Sequence, residues 1–200
     1  MGAQTRDEIL EVAMRHLDQR GAIDFRVDEV VADADVSKSS LYHFFGGREG
    51  LIDAAENEWY LRSVVGEYRN SVQTAEDCVT PAEFQEFVRA QIVRSLTESS
   101  NVLVRRRRIA VIARMIGDGR DDTRIAAVQA AFIAGMAEIV RSAQRRGLVA
   151  PTLDCEAYAA YVHTATLGRT LTEPGFPDTE RWLDFACDAA VAPLARGLTD

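Results

Sequence analysis

The stretch Val36 to Leu51, VSKSSLYHFFGGREGL, gathers side chains that could bind a polyanion. It offers hydroxyls at Ser37, Ser39 and Ser40, an ammonium at Lys38, and aromatic groups with polar atoms at Tyr42 and His43. No carboxylate lies between Val36 and Arg48. Val36, Leu41 and Phe45 recur at near-helical spacing and predict an inward face, which leaves Lys38, Ser39, Ser40, Tyr42 and His43 on the other surface. Ser37 suits an N-cap, where its hydroxyl accepts from an orphan backbone N–H one turn on. Gly46-Gly47 predicts the stop. Such a surface fits a groove lined with phosphates and base edges.

The elements upstream would position it. Ile9, Leu10, Val12, Ala13 and Leu17 predict a first helix over 4–20, with Gly21 as its stop. Ala22 to Arg26 reads as a connector. Val27, Val30, Val31 and Ala34 predict a short second helix of about two turns, and Asp35 stands at the tight turn before Ser37. Two short helices joined by three or four residues, the second polar outside, are what a helix-turn-helix requires. An ordinary helical hairpin in a bundle would share this pattern.

The run TRDEILEVAMRHLDQRGAIDFRVDEVVADADVSKSSLYHFFGGREGL resembles the DNA-binding head of the tetracycline-repressor (TetR) family of transcriptional regulators. The specific parts are the opening TR-x-x-IL, the Gly21 break, and VSKSSLYHFF followed by REGL. The resemblance implies a dimeric regulator with three helices on DNA and a variable helical ligand domain behind. By matching positions, Lys38, Ser39, Ser40 and His43 would approach bases, Tyr42 and Arg48 would hold phosphates, and Leu41 and Phe45 would be core. Ser37 joins this DNA-contact set. Three departures stand out. The turn residue is Asp35 where glycine is usual, and Asp tolerates the left-handed conformation better than most. The second helix opens on Arg26 where Ser or Thr usually caps, so the cap is lost while the guanidinium is a candidate for a phosphate contact. Asp28 stands where a basic residue is common; its carboxylate would repel a phosphate, so no DNA contact is assigned to it.

Downstream the pattern becomes long helices. A fourth carries Leu51, Ile52, Ala55, Trp59, Leu61 and Val65. Gln73 to Thr80 reads as a polar loop closed by Pro81, a favoured first helical position. Further helices are predicted over 81–98, 101–117 (ended by Gly117-Asp118-Gly119), 121–146 (opened by Asp121-Asp122, closed by Gly147), 154–172 and 178–198, with EPGFP at 173–177 separating the last two. The small and apolar faces of the last two helices, with Val162, Ala165 and Thr166 on one and Trp182, Phe185, Ala186 and Ala189 on the other, predict a homodimer interface. From the resemblance comes an effector cavity with Trp59, Phe87, Gln91, Met115, Phe132, Met136 and His163 as candidate lining. The run Arg105 to Arg108 must send at least one guanidinium inward or sideways. It reads chiefly as a solvated face paired with Asp118, Asp121 and Asp122, and alternatively as a hold for an anionic ligand group.

Composition sets bounds. Two hundred residues suffice for one or two domains with a real core. Three cysteines (Cys78, Cys155, Cys187), odd in number and without CxxC spacing, fit a reducing cytoplasm and give no zinc site. No membrane span is expected. No nucleophile motif, HxxxH or phosphate loop accompanies His16, His43 or His163, so no catalytic residue, metal or cofactor is assigned. The net charge of −8 runs against nucleic acid as a partner, and residues 1–50 hold six basic and ten acidic side chains. Only charges within about a Debye length (~8–10 Å) of the phosphates count fully, so a local patch can still bind; nonspecific affinity should be weak.

The sequence therefore predicts an all-α, cytoplasmic, homodimeric regulator of about nine helices. Residues 1–48 would form the helix-turn-helix head, and 49–200 the effector-binding and dimerisation domain. Its partners would be a palindromic double-stranded operator and an unidentified small molecule that releases it. The rival reading is a helical ligand carrier or enzyme whose head is only structural; a third is a regulator that answers a protein instead of a small ligand.

Overall fold

The computed structural model describes the backbone of residues 2–117, 123–195 and 197, and the side chains of 4–63, 71–114, 125–195 and 197. Among the described residues the fold is all-α: α1 (Gly2–Arg20), α2 (Val27–Asp33), α3 (Lys38–Phe45), α4 (Arg48–Asp77), α5 (Pro81–Thr97), α6 (Ser99–Gly117), α7 (Thr123–Arg145), α8 (Cys155–Thr172), α9 (Thr179–Val191) and a 3₁₀ turn, Ala192–Ala195. It divides into two compact units, residues 1–62 and 63–200, which share α4.

In the first unit, α1 buries Ile9, Leu10, Val12, Ala13, Met14 and Leu17 against Phe25, Val30, Leu41, Leu51, Ile52 and Ala55. Leu41, fully buried, anchors α3 in this core. The turn between α2 and α3 has the expected chemistry: Asp35 takes φ 51°, and the Val36 amide donates to the Val31 carbonyl at 3.1 Å. At the start of α3 the Ser40 amide donates to Ser37 Oγ at 3.1 Å, and Gly46 ends the helix at φ 74°. His16 ties α1 to the end of α2 through a 2.7 Å contact between its Nε2 and Asp33 Oδ2.

In the second unit Phe84, Phe87, Val88, Ile92 and Leu96 of α5 pack with Ala137, Ile139, Val140 and Ala143 of α7, Tyr158 and Ala159 of α8, and Cys187, Ala190 and Leu194. Thr80 and Glu83 form a reciprocal capping box at α5, with Pro81 at its first position. Tyr158 donates from its hydroxyl to the Ala190 carbonyl at 2.9 Å, and burial pushes its pKa up. Burial likewise raises the three free thiols, Cys78, Cys155 and Cys187, which keeps them protonated and inert. The segment Ile125–Arg145 of α7 is long and apolar enough on average to span a membrane by composition alone. Here it packs on α8 and gives Ala137, Ile139, Val140 and Ala143 to the core of the unit.

Two boundaries differ from expectation. The polar segment from Gln73 does not form a loop; α4 continues to Asp77. Val72 and Ala75 pack into the core, and Arg146 donates to the carbonyls of Ala75, Glu76 and Cys78, each at 2.9 Å. A cation at a helix C-terminus satisfies orphan carbonyls and opposes the dipole. Arg146→Ala should therefore cost about 1–2 kcal/mol and unravel the last turn of α4, read as lost amide protection over 74–77. Arg146→Lys should keep part of that protection. The last helix ends at Val191, where 198 was expected, because Pro193 has no N–H to continue the ladder and the chain tightens into the 3₁₀ turn.

Candidate nucleic-acid interface and ligand cavity

The outer face of α3 is assembled by the cap, the turn and Leu41 described above. Ser37, Lys38, Ser39, Tyr42 and His43 are exposed on it, and Ser40 is partly covered. The three serines are linked: Ser37 Oγ lies 2.9 Å from both Ser39 Oγ and Ser40 Oγ. Tyr42 is 54% exposed, which leaves its hydroxyl available to a phosphate. Arg26 precedes α2 without a side-chain cap bond, and its side chain is exposed.

Most of the head's charge is internally compensated. Arg20 pairs with Glu29, and Arg62 pairs with Glu11 and Glu58. Lys38 pairs with Asp28; the hydrogen bond and the attraction of that carboxylate raise its pKa. Arg26 has no carboxylate within ion-pair reach among the described residues. The flank of α1 is of opposite character: a shallow groove of about 730 Å³ there is lined by Asp7, Glu8, Glu11 and Asp33 beside Arg15. A polyanion meets repulsion on that flank.

Arg48 has a second role that its charge did not suggest. Its guanidinium donates to the Phe25 carbonyl at 3.2 Å, to the Ala22 carbonyl and to Glu49. These bonds fasten the α1–α2 connector to the start of α4. Truncating it would loosen the head as well as remove a charge.

The second unit contains a small cavity, about 60 Å³, lined by Ser71 of α4, Gln91 and Ser95 of α5, Phe132 and Met136 of α7, and His163 of α8. Phe132 and His163 stack at 4.8 Å between ring centroids. Among the described residues the lining carries no Asp, Glu, Lys or Arg. Gln91 Oε1 accepts from Arg94 and, at 3.4 Å, from Ser71 Oγ. Of the residues expected at an effector site, Gln91, Phe132, Met136 and His163 come together here. Phe87 belongs to the adjoining core; Trp59 packs against the core of the other unit; the Met115 side chain lies outside the described residues. Val162 and Thr166, expected at a subunit interface, also line this cavity. Ser71 and Ser95 were missed because isolated serines on amphipathic helices give no signal.

The arginine run is divided by the helix. Arg105 is buried and donates to Thr170 Oγ1 at 2.6 Å, to Glu173 Oε1 at 3.1 Å and to the Ser95 carbonyl. Arg106 stays exposed and reaches Glu173 Oε2 at 3.0 Å. Burial pushes Glu173 up, but Arg106, Arg105 and Arg169 together hold it below the usual carboxylate range. Arg108 donates to Ser63 Oγ at 3.1 Å. The expected partners Asp118, Asp121 and Asp122 lie outside the described residues. Among the remaining interface candidates on α8 and α9, Phe185 is 76% exposed, and Trp182, Ala165, Ala186 and Ala189 are partly buried; Tyr161 and Leu171 of α8 are also exposed.

Residues 9–55 match the family model described as "Bacterial regulatory proteins, tetR family". The HTH-type transcriptional regulator BetI of Brucella anthropi is 38% identical over 47 residues, 24% of this chain and 24% of that protein. The match thus spans about a quarter of the length of the curated relatives. A TetR-family transcriptional regulator from Pectobacterium atrosepticum shares the fold with a TM-score of 0.62 at 21% identity, over 98% of this chain and 95% of the other. The protein in the SmeT–triclosan complex does so with a TM-score of 0.58 at 19% identity, over 98% and 95%. At these identities the likeness is one of fold.

Proposed function

We propose that this chain, whose residues 9–55 match the tetR family of bacterial regulatory proteins, is a dimeric, sequence-specific transcriptional repressor released by a small molecule. The observation that carries the reading is the exposed face of α3, from Ser37 to His43, whose own residues bear no carboxylate and whose helix is capped, glycine-terminated and seated on a buried leucine. Residues 1–48 supply the DNA contacts: Lys38, Ser39, Ser40 and His43 toward base edges, Arg26, Ser37 and Tyr42 toward phosphates. Residues 49–200 supply the effector site and the subunit contact. Exposed Phe185, Tyr161 and Leu171 are apolar area that a second copy would cover. A two-fold dimer would set two recognition helices about one helical turn (~34 Å) apart, or a multiple of it, on a palindrome. Selecting bound duplexes from a random pool tests this: two inverted half-sites are expected, and an unenriched pool would reject it.

The effector would occupy the cavity lined by Phe132, Met136, Gln91 and His163. SmeT has been solved with triclosan; here the described lining residues carry no ionised group, which suits an uncharged ligand, because an unpaired charge is costly to bury. The cavity is smaller than a ligand-sized pocket of ~300 Å³ or more, so binding must widen it. Helix α4 contributes Ser71 to the cavity and Leu51, Ile52 and Ala55 to the head core, so its displacement is the proposed link. The ligand must bind the DNA-free arrangement more tightly, or it shifts nothing. Phe132→Leu or Met136→Ala should therefore change the effector response more than operator affinity. A thermal-shift screen followed by DNA binding checks this; if every stabilising compound leaves operator affinity unchanged, there is no coupling.

A further inference from the structure

Lys38 is the single lysine of the chain, and its ammonium is held by a carboxylate from the preceding helix. Asp28 stands in the first turn of α2 and Lys38 at the first position of α3. The two side chains are 73% and 60% exposed, so the pair lies on the surface that would meet DNA. A carboxylate in that place is costly for binding: it repels phosphates and cancels one of only six cations in residues 1–50. Three donors on an ammonium leave two unused when one goes to Asp28. The ion pair holds the ammonium at the start of α3.

We propose that Asp28 is a positioning residue for sequence readout: it anchors the Lys38 ammonium so that Lys38 contacts a base edge, and it suppresses binding to other sequences by cancelling that charge toward phosphates. The base edge is an acceptor pair of the kind guanine presents through O6 and N7. The head thus gives up total affinity and gains discrimination, since a charge that contacts phosphates helps every sequence alike. The proposal rests on the DNA-binding reading above.

The test uses full-length wild type, Asp28→Asn, Lys38→Gln and the double variant. Affinities are measured over a salt series for the duplex that wild type selects, its single-base-pair variants and a scrambled duplex. Asp28→Asn should raise affinity for the scrambled duplex, steepen its salt slope by about one per subunit, and flatten the preference at one base pair of each half-site. In the Lys38→Gln background the same change should leave that preference as it stands. A preference untouched by Asp28→Asn in wild type, or flattened equally with and without Lys38, would overturn the proposal while the DNA-binding reading survived. A DNA-free measurement separates the two. Reductive ¹³C-methylation labels Lys38 as the only side-chain amine, and its titration should fall toward the ordinary lysine value in Asp28→Asn. An identical titration in both proteins overturns the proposal directly. A shifted titration in a protein that selects no duplex overturns the DNA-binding reading, and the proposal with it.

Discussion

Leu41→Ala is expected to abolish operator binding by melting the head. Leu41 has no exposed surface and packs among Ile9, Leu10, Val30, Leu51 and Ile52. A buried Leu→Ala change costs about 2–5 kcal/mol, the lost transfer energy plus the cavity left behind. The first unit, which holds the head, has only 62 residues, and domains near 60 residues are marginal to begin with. The α3 surface exists only while this leucine is seated, since the helix itself has eight residues and a helix below about 12 residues does not persist alone. Amide exchange over residues 5–62 should become fast, and binding should fall to the level of a scrambled duplex. Residues 137–143 in the separate core of the second unit should stay protected. Leu41→Met, close in volume, should retain most binding. Wild-type affinity in Leu41→Ala would mean that α3 is not held by this core.

Arg26→Ala and His43→Ala should differ in kind. Arg26 is exposed at the start of α2 with no carboxylate within ion-pair reach among the described residues. Its loss should weaken all duplexes alike and lower the salt slope by about one per subunit. His43 stands on the outer face of α3. Its loss should cost about 1–3 kcal/mol on the selected sequence, or up to about a hundredfold, and relax one position, with little change on a scrambled duplex. Neither side chain is in the core, so melting temperatures should stay near wild type. Anisotropy titrations with both duplexes over a salt series distinguish the two patterns. The same pattern from both variants would remove the division into phosphate and base contacts.

The contrast between Leu41 and Arg48 shows what the sequence could convey. Apolar spacing placed Leu41 inward, and residues with specific backbone chemistry marked the ends of the helix: Ser37 caps it, Asp35 takes the positive φ, and Gly46 stops it. These are local properties, so a short stretch carries them. Arg48 has partners 23 and 26 residues upstream, and they are carbonyl oxygens, which every residue possesses. Nothing in the side-chain pattern announces such a bond. Asp28 was legible as a carboxylate in an unusual place, but its pairing with Lys38 depends on how α2 meets α3. The cavity was half legible for a similar reason. Phe132 and Met136 lie at helical spacing that core residues share, and only the meeting of α5, α7 and α8 separates them from Phe87. That meeting also turns Val162 and Thr166 toward the cavity, where small residues on α8 had suggested a helix–helix contact. Arg146 extended α4 beyond its polar sequence by the same kind of distant carbonyl contact.

The central claim is that the exposed face of α3 reads DNA sequence, and one ratio tests it most directly. The full-length protein is titrated at a single salt concentration against the duplex it enriches from a random pool and against a scrambled duplex of equal length and composition. The account predicts binding to the enriched duplex at least about a thousandfold tighter, with most of that ratio lost when Ser39 and His43 are both replaced by alanine. Equal affinity for the two duplexes, or a ratio unaffected by the double replacement, would contradict it.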